Sequence, residues 1–323
     1  MQYKNFGRTG IRVSAIGFGS WQAGMNAWGK DYSVEDVRNA IRTAYDLGVT
    51  IFDTAEVYGN GLSEKILGEE LRNREAFIAT KLAGYNSRDP EKSIERSYRN
   101  IGRTIDLYQV HWVPSMYTNL DKLMKRLEGY VRKGKINHLG LSNFPLKFLK
   151  MAQDALSREE IVSLQIQYSI LHREAELDLL DYCRESLIEI IAWSPLARGA
   201  LTGKYFGKKM PPSISRYQEM YNRKHRISPE LESYLKSTSD RYHIPISAIA
   251  LRYVANMGMI PIPGSKNPAQ ASMNSSVFDY DVPDEIYTEI ERLSRKYRDK
   301  GYKNLVPRVI PNFMFKLVAG KLL

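Results

Sequence analysis

Residues 33–59 read SVEDVRNAIRTAYDLGVTIFDTAEVYG and contain one complete helix–strand pair. Apolar side chains recur at the 3.6-residue period of an amphipathic helix, at Val34, Val37, Ile41, Ala44 and Tyr45. Ser33 can cap the first turn, with Asp36 at a spacing similar to that of a capping box. Gly48 stands where a C′ glycine ends a helix, and the apolar run 50–54 follows as a strand.

Short apolar runs of this kind occur eight times and alternate with amphipathic segments. They cover residues 15–19, 50–54, 77–81, 107–112, 136–142, 162–167, 189–194 and 259–264. Such alternation is typical of parallel strands that close into a (β/α)8 TIM barrel. An open doubly wound sheet would need a third glycine after Gly17 and Gly19. The sequence therefore predicts a barrel, with residues 2–14 as a β-hairpin that caps its bottom.

The composition predicts one globular domain over residues 1–323. Hydrophobic residues make up 43% and charged residues 26%, which suffices for a sizeable core. No run of about 18 apolar residues and no signal-like start is present, so we expect no integral membrane segment. Cys183 is the single cysteine and excludes an internal disulfide. We expect a cytoplasmic protein that is a monomer or a small homo-oligomer.

The net charge of +11 is concentrated in two segments. Residues 198–226 hold eight basic residues and one acid, which suits a long loop after the seventh strand that covers a phosphorylated cofactor, or a merely solvated loop. No recognition motif accompanies the charge, so no nucleic-acid partner is predicted. The basic and apolar tail, 305–323, either wraps the barrel or makes a peripheral contact with an anionic membrane or a partner.

Polar residues lie where three successive strands end. In a (β/α)8 barrel, catalytic side chains come from the carboxyl ends of the strands. Asp53, Lys81 and His111 occupy such positions, and Tyr58 follows Asp53 in its loop. An ammonium group beside Tyr58 would lower its pKa from the reference value of about 10. Asp53 would hold that lysine, and His111 could orient a carbonyl oxygen or pass a proton to Tyr58.

This set of residues can protonate a carbonyl oxygen and stabilise the alkoxide that forms there. No side chain donates hydride, so a reduced nicotinamide is predicted as cofactor. Each residue alone would more often be a loop anchor or a packing residue. Their joint spacing favours a reductase with Tyr58 as the proton donor.

Seven segments, taken in order, resemble the aldo-keto reductase superfamily. They are FDTAEVYG (52–59), ATK (79–81), DLYQVHW (106–112), LGLSNF (139–144), LQIQYSILHRE (164–174), AWSPLARGALTGKY (192–205) and IPIPGSKNPAQ (260–270). The resemblance runs from the hairpin to about residue 276. It implies that Tyr58 is the general acid/base of a tetrad completed by Asp53, Lys81 and His111.

The same resemblance implies the cofactor contacts. The nicotinamide carboxamide would be bound by Ser142, Asn143 and Gln165, and its ring would stack on Trp193. The pyrophosphate would lie against the loop of Ser194, Leu196, Gly199 and Leu201. The adenosine and its 2′-phosphate would meet Gly264, Ser265, Lys266, Gln270 and Asn274.

Two departures from the family pattern concern the adenosine end. The family often has an arginine where this chain has Gln270, and a glutamate where it has Met273. Lysine does not fully replace a bidentate arginine at a phosphate. The resemblance therefore implies NADPH (NADP+) as cofactor, with NADH possible.

Trp21 and Trp112 resemble the family's pocket-lining aromatic residues. A pocket of this kind suits a small-molecule carbonyl substrate, an aldehyde or ketone with a hydrophobic body. The histidines show no metal-ligand spacing with one another or with Cys183, and no metal is predicted.

Two other functions are compatible with the same barrel. One is a cofactor-binding regulatory or redox-sensing protein resembling the potassium-channel β subunits, which keep their tetrad. The other is a Schiff-base aldolase that uses Lys81, which leaves the predicted cofactor residues unexplained.

Overall fold

The structure is a computed structural model, and it describes residues 1–24, 32–116, 118–208 and 226–298. The predicted roles of the tail 305–323, and of most of the basic segment 198–226, concern residues outside these ranges.

A two-stranded hairpin opens the chain and closes one end of the molecule. Strands β1 (Tyr3–Asn5) and β2 (Arg12–Ser14) pair antiparallel. Phe6 and Val13 are buried among residues at the amino ends of the barrel strands. The ring of Phe6 lies 4.7 Å from that of Phe77, the first residue of its strand. The predicted hairpin at the bottom of the barrel is therefore confirmed.

Eight parallel strands follow, each paired with the next along the chain. They are β3 (Phe18–Gly19), β4 (Ile51–Asp53), β5 (Phe77–Leu82), β6 (Ile105–Val110), β7 (Ile136–Ser142), β8 (Ile161–Gln167), β9 (Glu189–Trp193) and β10 (Ile260–Ile262). The last strand returns to the first, because the backbone N–H of Gly17 donates to Pro261 at 2.9 Å and that of Gly19 to Pro263 at 3.1 Å. The predicted eight-stranded barrel is confirmed.

Helices connect these strands on the outside of the barrel. They are α1 (Val34–Asp46), α2 (Leu62–Glu70), α3 (Pro90–Ile101), α4 (Leu120–Arg132), α5 (Leu146–Asp154), α6 (Leu179–Glu185), α7 (Pro229–Tyr242), α8 (Ile246–Asn256), α9 (Pro268–Ser275) and α10 (Asp284–Ser294). Helix α1 has the predicted capping box between Ser33 and Asp36. Gly48, with a φ of 90°, follows its end as expected.

The barrel interior consists of an apolar layer below a polar one. Alternate residues of a strand point to the same side, so the side chain two positions after an interior apolar residue also faces inward. Ile51, Ala79 and Leu107 belong to the apolar interior cluster. Two positions further along β4, β5 and β6 stand Asp53, Lys81 and Gln109, all buried. The charged groups therefore lie at the carboxyl end of the barrel, and the hairpin covers the opposite end.

The sequence predicts a long loop after the seventh barrel strand, in the connection between β9 and α7. Its described parts are residues 194–208 and 226–228. That this loop covers a cofactor stays a prediction.

Candidate active site

A buried ion pair lies at the carboxyl end of the barrel. Lys81 has no exposed surface, and its Nζ atom lies 2.6 Å from Oδ2 of Asp53. The same ammonium donates to the carbonyl oxygen of Thr54 at 2.7 Å. The other carboxylate oxygen of Asp53 accepts a 2.7 Å hydrogen bond from Nε2 of Gln165. Both oxygens of Asp53 are thus held, one by each neighbour.

Burial works against the charge on both members of this pair. It raises the pKa of Asp53, and the nearby Lys81 and Gln165 act in the opposite direction. It lowers the pKa of Lys81, and the charge of Asp53 again opposes the effect. Each group therefore stabilises the charged form of the other, because a buried ion without a partner would be far less stable.

Tyr58 stands in a short turn directly after β4, above this pair. The Nζ atom of Lys81 lies 5.1 Å from the centroid of the Tyr58 ring. Burial, and secondarily the charge of Asp53, raises the pKa of Tyr58 well above its ordinary value. The lowering of this pKa that was expected from Lys81 is wrong, because the loss of hydration dominates. The phenol is accordingly protonated at neutral pH, as a proton donor must be.

His111 follows the end of β6 and faces Tyr58. The two rings meet edge to face, with centroids 5.9 Å apart and an interplanar angle of 77°. Burial, followed by the charge of Lys81, holds the pKa of His111 well below its ordinary value. Its Nδ1 atom is buried without a hydrogen-bond partner among the described residues. The imidazole is therefore neutral, with polar capacity to spare for a ligand.

Aromatic side chains line both sides of Tyr58 and His111. Trp21 stacks on Tyr58 with centroids 6.1 Å apart and an interplanar angle of 28°. Trp112 lies 4.6 Å from the His111 ring and packs against Gly84, where a Cβ atom would clash with the indole. The structure thus brings the two predicted pocket tryptophans together with Tyr58 and His111.

The predicted nicotinamide-binding residues form one cluster next to His111. Asn143 has a φ of 58°. Its Nδ2 atom donates to the backbone oxygen of His111 at 3.0 Å and to Ser142 Oγ at 2.9 Å. Its Oδ1 atom accepts from the indole of Trp193 at 3.0 Å. Gln165 joins this cluster to the ion pair through Asp53, as described above.

The loop after β9 has a strained backbone in the segment predicted to approach the pyrophosphate. Ser194, Ala197 and Arg198 have φ values of 55°, 47° and 55°, which side chains other than glycine rarely adopt. Such conformations persist where the surroundings fix them, and they cluster at ligand sites. Bonds within the loop fix its path, since Gly199 and Leu201 both donate to the carbonyl oxygen of Leu196. Leu201 is itself buried in the core.

The five residues predicted at the adenosine end lie on the loop after β10 and on α9. Asn274 Nδ2 donates to Ser265 Oγ at 3.1 Å. Gln270 Oε1 accepts from the backbone N–H of Lys266 at 2.9 Å. Gly264 packs closely against the side chain of Gln22. Gln270 therefore shapes the loop that carries Lys266, a task that differs from the phosphate contact of an arginine.

Two cations of the predicted cofactor segments lie against aromatic rings. Arg198 is 5.7 Å from the centroid of the Trp21 ring, and Lys266 is 5.0 Å from that of Tyr32. Glu56, between Asp53 and Tyr58, is completely buried and is a residue that the sequence did not single out. A charged residue in a loop gives no sign of burial in the sequence, so its position could not be predicted.

Within the described ranges, the histidine, cysteine and acidic side chains form no cluster that could hold a metal ion. In that part of the chain, none of the helices combines the length and the apolar character required to cross a membrane.

The fold, together with these side chains at its carboxyl end, defines a barrel of the oxidoreductase type. The model of the aldo/keto reductase family matches residues 15–295, and the chain belongs to that family.

Curated relatives match most of the chain. An uncharacterised oxidoreductase of Mycobacterium tuberculosis is 30% identical over 297 residues, which cover 89% of this chain and 91% of the relative. A probable voltage-gated potassium channel subunit beta of Arabidopsis thaliana is 28% identical over 306 residues, covering 86% of this chain and 92% of the relative.

Solved structures agree with the barrel. A thermostable aldo-keto reductase in complex with the inhibitor epalrestat superposes with a TM-score of 0.76 at 26% identity, covering 91% of this chain and 100% of that one. An aldo/keto reductase from Klebsiella pneumoniae in complex with NADP and acetate gives a TM-score of 0.73 at 21% identity, covering 95% and 100%. The second likeness supports the fold alone.

Proposed function

We propose that this protein reduces aldehydes and ketones to alcohols with NADPH, and that Tyr58 is the proton donor. The observation that carries the proposal is that Tyr58 and His111 meet edge to face beside the buried Asp53–Lys81 ion pair. An alkoxide that forms on the substrate needs a proton and hydrogen-bond donors that are already in position in a buried pocket. Tyr58 can supply the proton and His111 a hydrogen bond.

The pocket residues fit a nicotinamide cofactor. The hydroxyl and amide groups of Ser142, Asn143 and Gln165 lie beside His111 and supply donors and acceptors of the kind that a carboxamide pairs with. When bound, the reduced nicotinamide supplies a hydride.

The chain's own residues have separate tasks in this reaction. His111, as a neutral imidazole, donates one N–H to the substrate carbonyl oxygen and orients it. The Oη atom of Tyr58 gives its proton to that oxygen while hydride reaches the carbonyl carbon. The Lys81 ammonium has three N–H donors, and two of them are bonded to Asp53 and to the carbonyl oxygen of Thr54. The third would donate to the phenolate that Tyr58 becomes when it has given up its proton. Trp21 and Trp112 hold the apolar body of the substrate.

NADPH is proposed over NADH because of the cation on the loop after β10. Lys266 stands at the predicted place of the 2′-phosphate, and a cation there favours the cofactor with the extra charge. Gln270 is engaged with the backbone of Lys266 and adds no charge. Use of NADH as a second cofactor is therefore part of the proposal.

The direct test is the loss of reduced-cofactor absorbance when the purified protein is mixed with an aromatic aldehyde such as para-nitrobenzaldehyde. Turnover with NADPH, with slower turnover on NADH, is the expected result. Absence of turnover with both cofactors, in a protein that binds one of them, would contradict the proposal.

The channel-subunit relative favours a second candidate, a regulatory protein that holds its cofactor as a redox sensor. In that case the cofactor would stay bound through gel filtration and would be oxidised only once per binding event. A Schiff-base aldolase is disfavoured, because the Lys81 ammonium has no exposed surface and is bonded to Asp53.

A further inference from the structure

The turn that carries Tyr58 has an unusual backbone. Gly59, Asn60 and Gly61 follow the tyrosine with φ values of 59°, 53° and 93°. Glycine adopts the left-handed region freely, whereas Asn60 does so at a cost, so the turn keeps its shape only if its surroundings determine it. The position of the Tyr58 hydroxyl therefore depends on what holds this turn from either side.

On the side of Trp21, the turn is held by direct backbone contact. A Cβ atom built on Gly59 would lie 2.8 Å from the Cα atom of Gly24, and one built on Gly24 would lie 2.7 Å from the nitrogen of Gly59. Gly24 ends the short helical turn that begins at Trp21. This close approach blocks movement of the tyrosine in that direction.

On the opposite side, the anchor is the carboxylate of Glu56, which has no exposed surface. Its Oε1 atom accepts from the backbone N–H of Ala83 at 2.6 Å and from Asn86 Nδ2 at 3.0 Å. Its Oε2 atom accepts from the guanidinium of Arg96 at 2.7 Å. The backbone N–H of Glu56 donates to the backbone carbonyl oxygen of Lys81 at 3.3 Å. Both oxygens of this buried carboxylate are therefore bonded to neighbouring elements.

These donors belong to the other wall of the pocket. Ala83 and Asn86 flank Gly84, which packs against the indole of Trp112, and Arg96 lies on α3. The Glu56 carboxylate thus joins the Tyr58 turn to the segment that supports Trp112. Trp112 in turn lies against His111. The hydrogen bonds of Glu56 therefore also fix the position of Tyr58 relative to His111.

Building on the proposed reductase activity, we propose that Glu56 is a positioning residue for the proton donor. Its carboxylate fixes the Tyr58 turn against the Trp112 wall and so sets the place of the Tyr58 hydroxyl relative to His111. A small misplacement of a reacting group lowers the rate of a chemical step strongly and affects binding much less.

The chemistry of the contact requires a carboxylate. A glutamine at this position keeps the size but presents an NH2 group where one oxygen now accepts, so a donor would face either Arg96 or the Ala83 N–H. Glu56→Gln therefore removes one anchor and leaves the others, which makes it a targeted change.

A matched control is available at the far end of the barrel. Glu128 is also a buried carboxylate that clamps a loop, since it accepts from the backbone N–H groups of Ser157 at 2.9 Å and Arg158 at 2.7 Å. That loop precedes β8 and lies away from the pocket. Glu128→Gln thus breaks a clamp of the same type with no connection to Tyr58.

The test compares steady-state kinetics of the two variants in the full-length protein with NADPH and an aromatic aldehyde. We expect Glu56→Gln to lower kcat about tenfold or more, with KM and cofactor Kd changed by less than about twofold. Glu128→Gln should lower the melting temperature and leave kcat within about twofold of the wild type. Equal kcat values for the two variants would overturn the proposal.

Arg96 provides a second route if Glu56→Gln does not fold, because its side chain is partly exposed. Arg96→Met removes one donor to Glu56 and should lower kcat, and Arg96→Lys, which restores a cation, should recover most of the loss. A purely structural role would give the two Arg96 variants the same kcat, contrary to the proposal.

Hydrogen–deuterium exchange separates this proposal from the proposed function. The amides of residues 54–61 should exchange faster in Glu56→Gln than in Glu128→Gln, whether or not the protein turns over. An inactive wild type would refute the reductase activity, but the exchange comparison would still show whether Glu56 holds the Tyr58 turn in place. Faster exchange with unchanged kcat would refute the positioning role alone.

Discussion

Gln165 donates a 2.7 Å hydrogen bond to Oδ1 of Asp53 across 112 positions of sequence, and it leaves Oδ2 to Lys81. Strands β8 and β4 are not neighbours in the sheet, so the bond crosses the inside of the barrel. It ties the predicted nicotinamide cluster to the ion pair beneath Tyr58. A cofactor bound at this cluster would therefore be linked through one carboxylate to the electrostatics of Tyr58.

Tyr58→Phe removes only the hydroxyl group that we propose as the proton donor. We expect kcat to fall by about 10²–10⁴-fold, since this is the usual contribution of a general acid. Binding of NADPH, measured by quenching of tryptophan fluorescence, should be unchanged because the ring remains. Tyr85→Phe is a suitable control: burial and the charge of Glu56 raise the pKa of Tyr85 to about 12, and its ring lies beside Trp112. A Tyr58→Phe enzyme with wild-type kcat would exclude the assigned role.

Asp53→Asn leaves the Lys81 ammonium buried without an opposing charge. Removing one partner of a buried pair costs about 3–5 kcal/mol of the free energy of unfolding. The double variant Asp53→Asn/Lys81→Met should lose less free energy of unfolding than the two single variants lose together. Denaturant unfolding of the four proteins measures this difference as a double-mutant cycle.

Glu189→Gln is the control for that cycle. It breaks the Lys4–Glu189 pair, which is 2.7 Å long and lies at the bottom of the barrel. This variant should lose stability and keep kcat. Additive free energies in the Asp53/Lys81 cycle would show that the pair does not act as a unit.

His111 predicts a specific dependence of stability on pH. Burial depresses its pKa in the folded protein, whereas the unfolded chain takes up a proton near the ordinary value of 6.5. The unfolded state therefore binds more protons below that pH, and the free energy of unfolding decreases as the pH falls. The contribution is fully present above about pH 7.

The measurement is the melting temperature between about pH 8 and pH 5. His111→Gln should lose less stability over this range than the wild type, since the titrating group is gone. His138→Gln should reduce the slope less, because burial lowers the pKa of His138 to a smaller degree. Identical slopes for wild type and His111→Gln would contradict the buried neutral state.

Lys266→Ala tests the basis of the cofactor preference. We expect the Kd of NADPH to rise about tenfold and that of NADH to change little, because only NADPH carries the 2′-phosphate that the ammonium would attract. The effect should weaken at high salt. Lys150→Ala is the matched control, since Lys150 lies 4.8 Å from the ring of Tyr182 on another face. An equal rise in the Kd of NADPH and of NADH would contradict a contact between Lys266 and the 2′-phosphate.

Much of this architecture is readable from the sequence because it follows from periodicity. Eight apolar runs place the strands, and residues at their ends, such as Asp53 and Lys81, must meet at one rim of a barrel. The direction of the Tyr58 pKa was not readable, since spacing reports which groups are adjacent but not how deeply they are buried. Glu56 was missed for the same reason. A charged loop residue looks solvated until its partners on another strand and helix are known.

The barrel is closed by hydrogen bonds from Gly17 and Gly19 to Pro261 and Pro263, near opposite ends of the described chain. At ribosomal rates of about 5–20 residues per second, the first barrel strand is made roughly 10 to 50 seconds before the last one that pairs with it. During this interval its backbone edge is open to other partners. The barrel therefore cannot close before its last strand has been synthesised, and until then the first strand lacks one of its two partners.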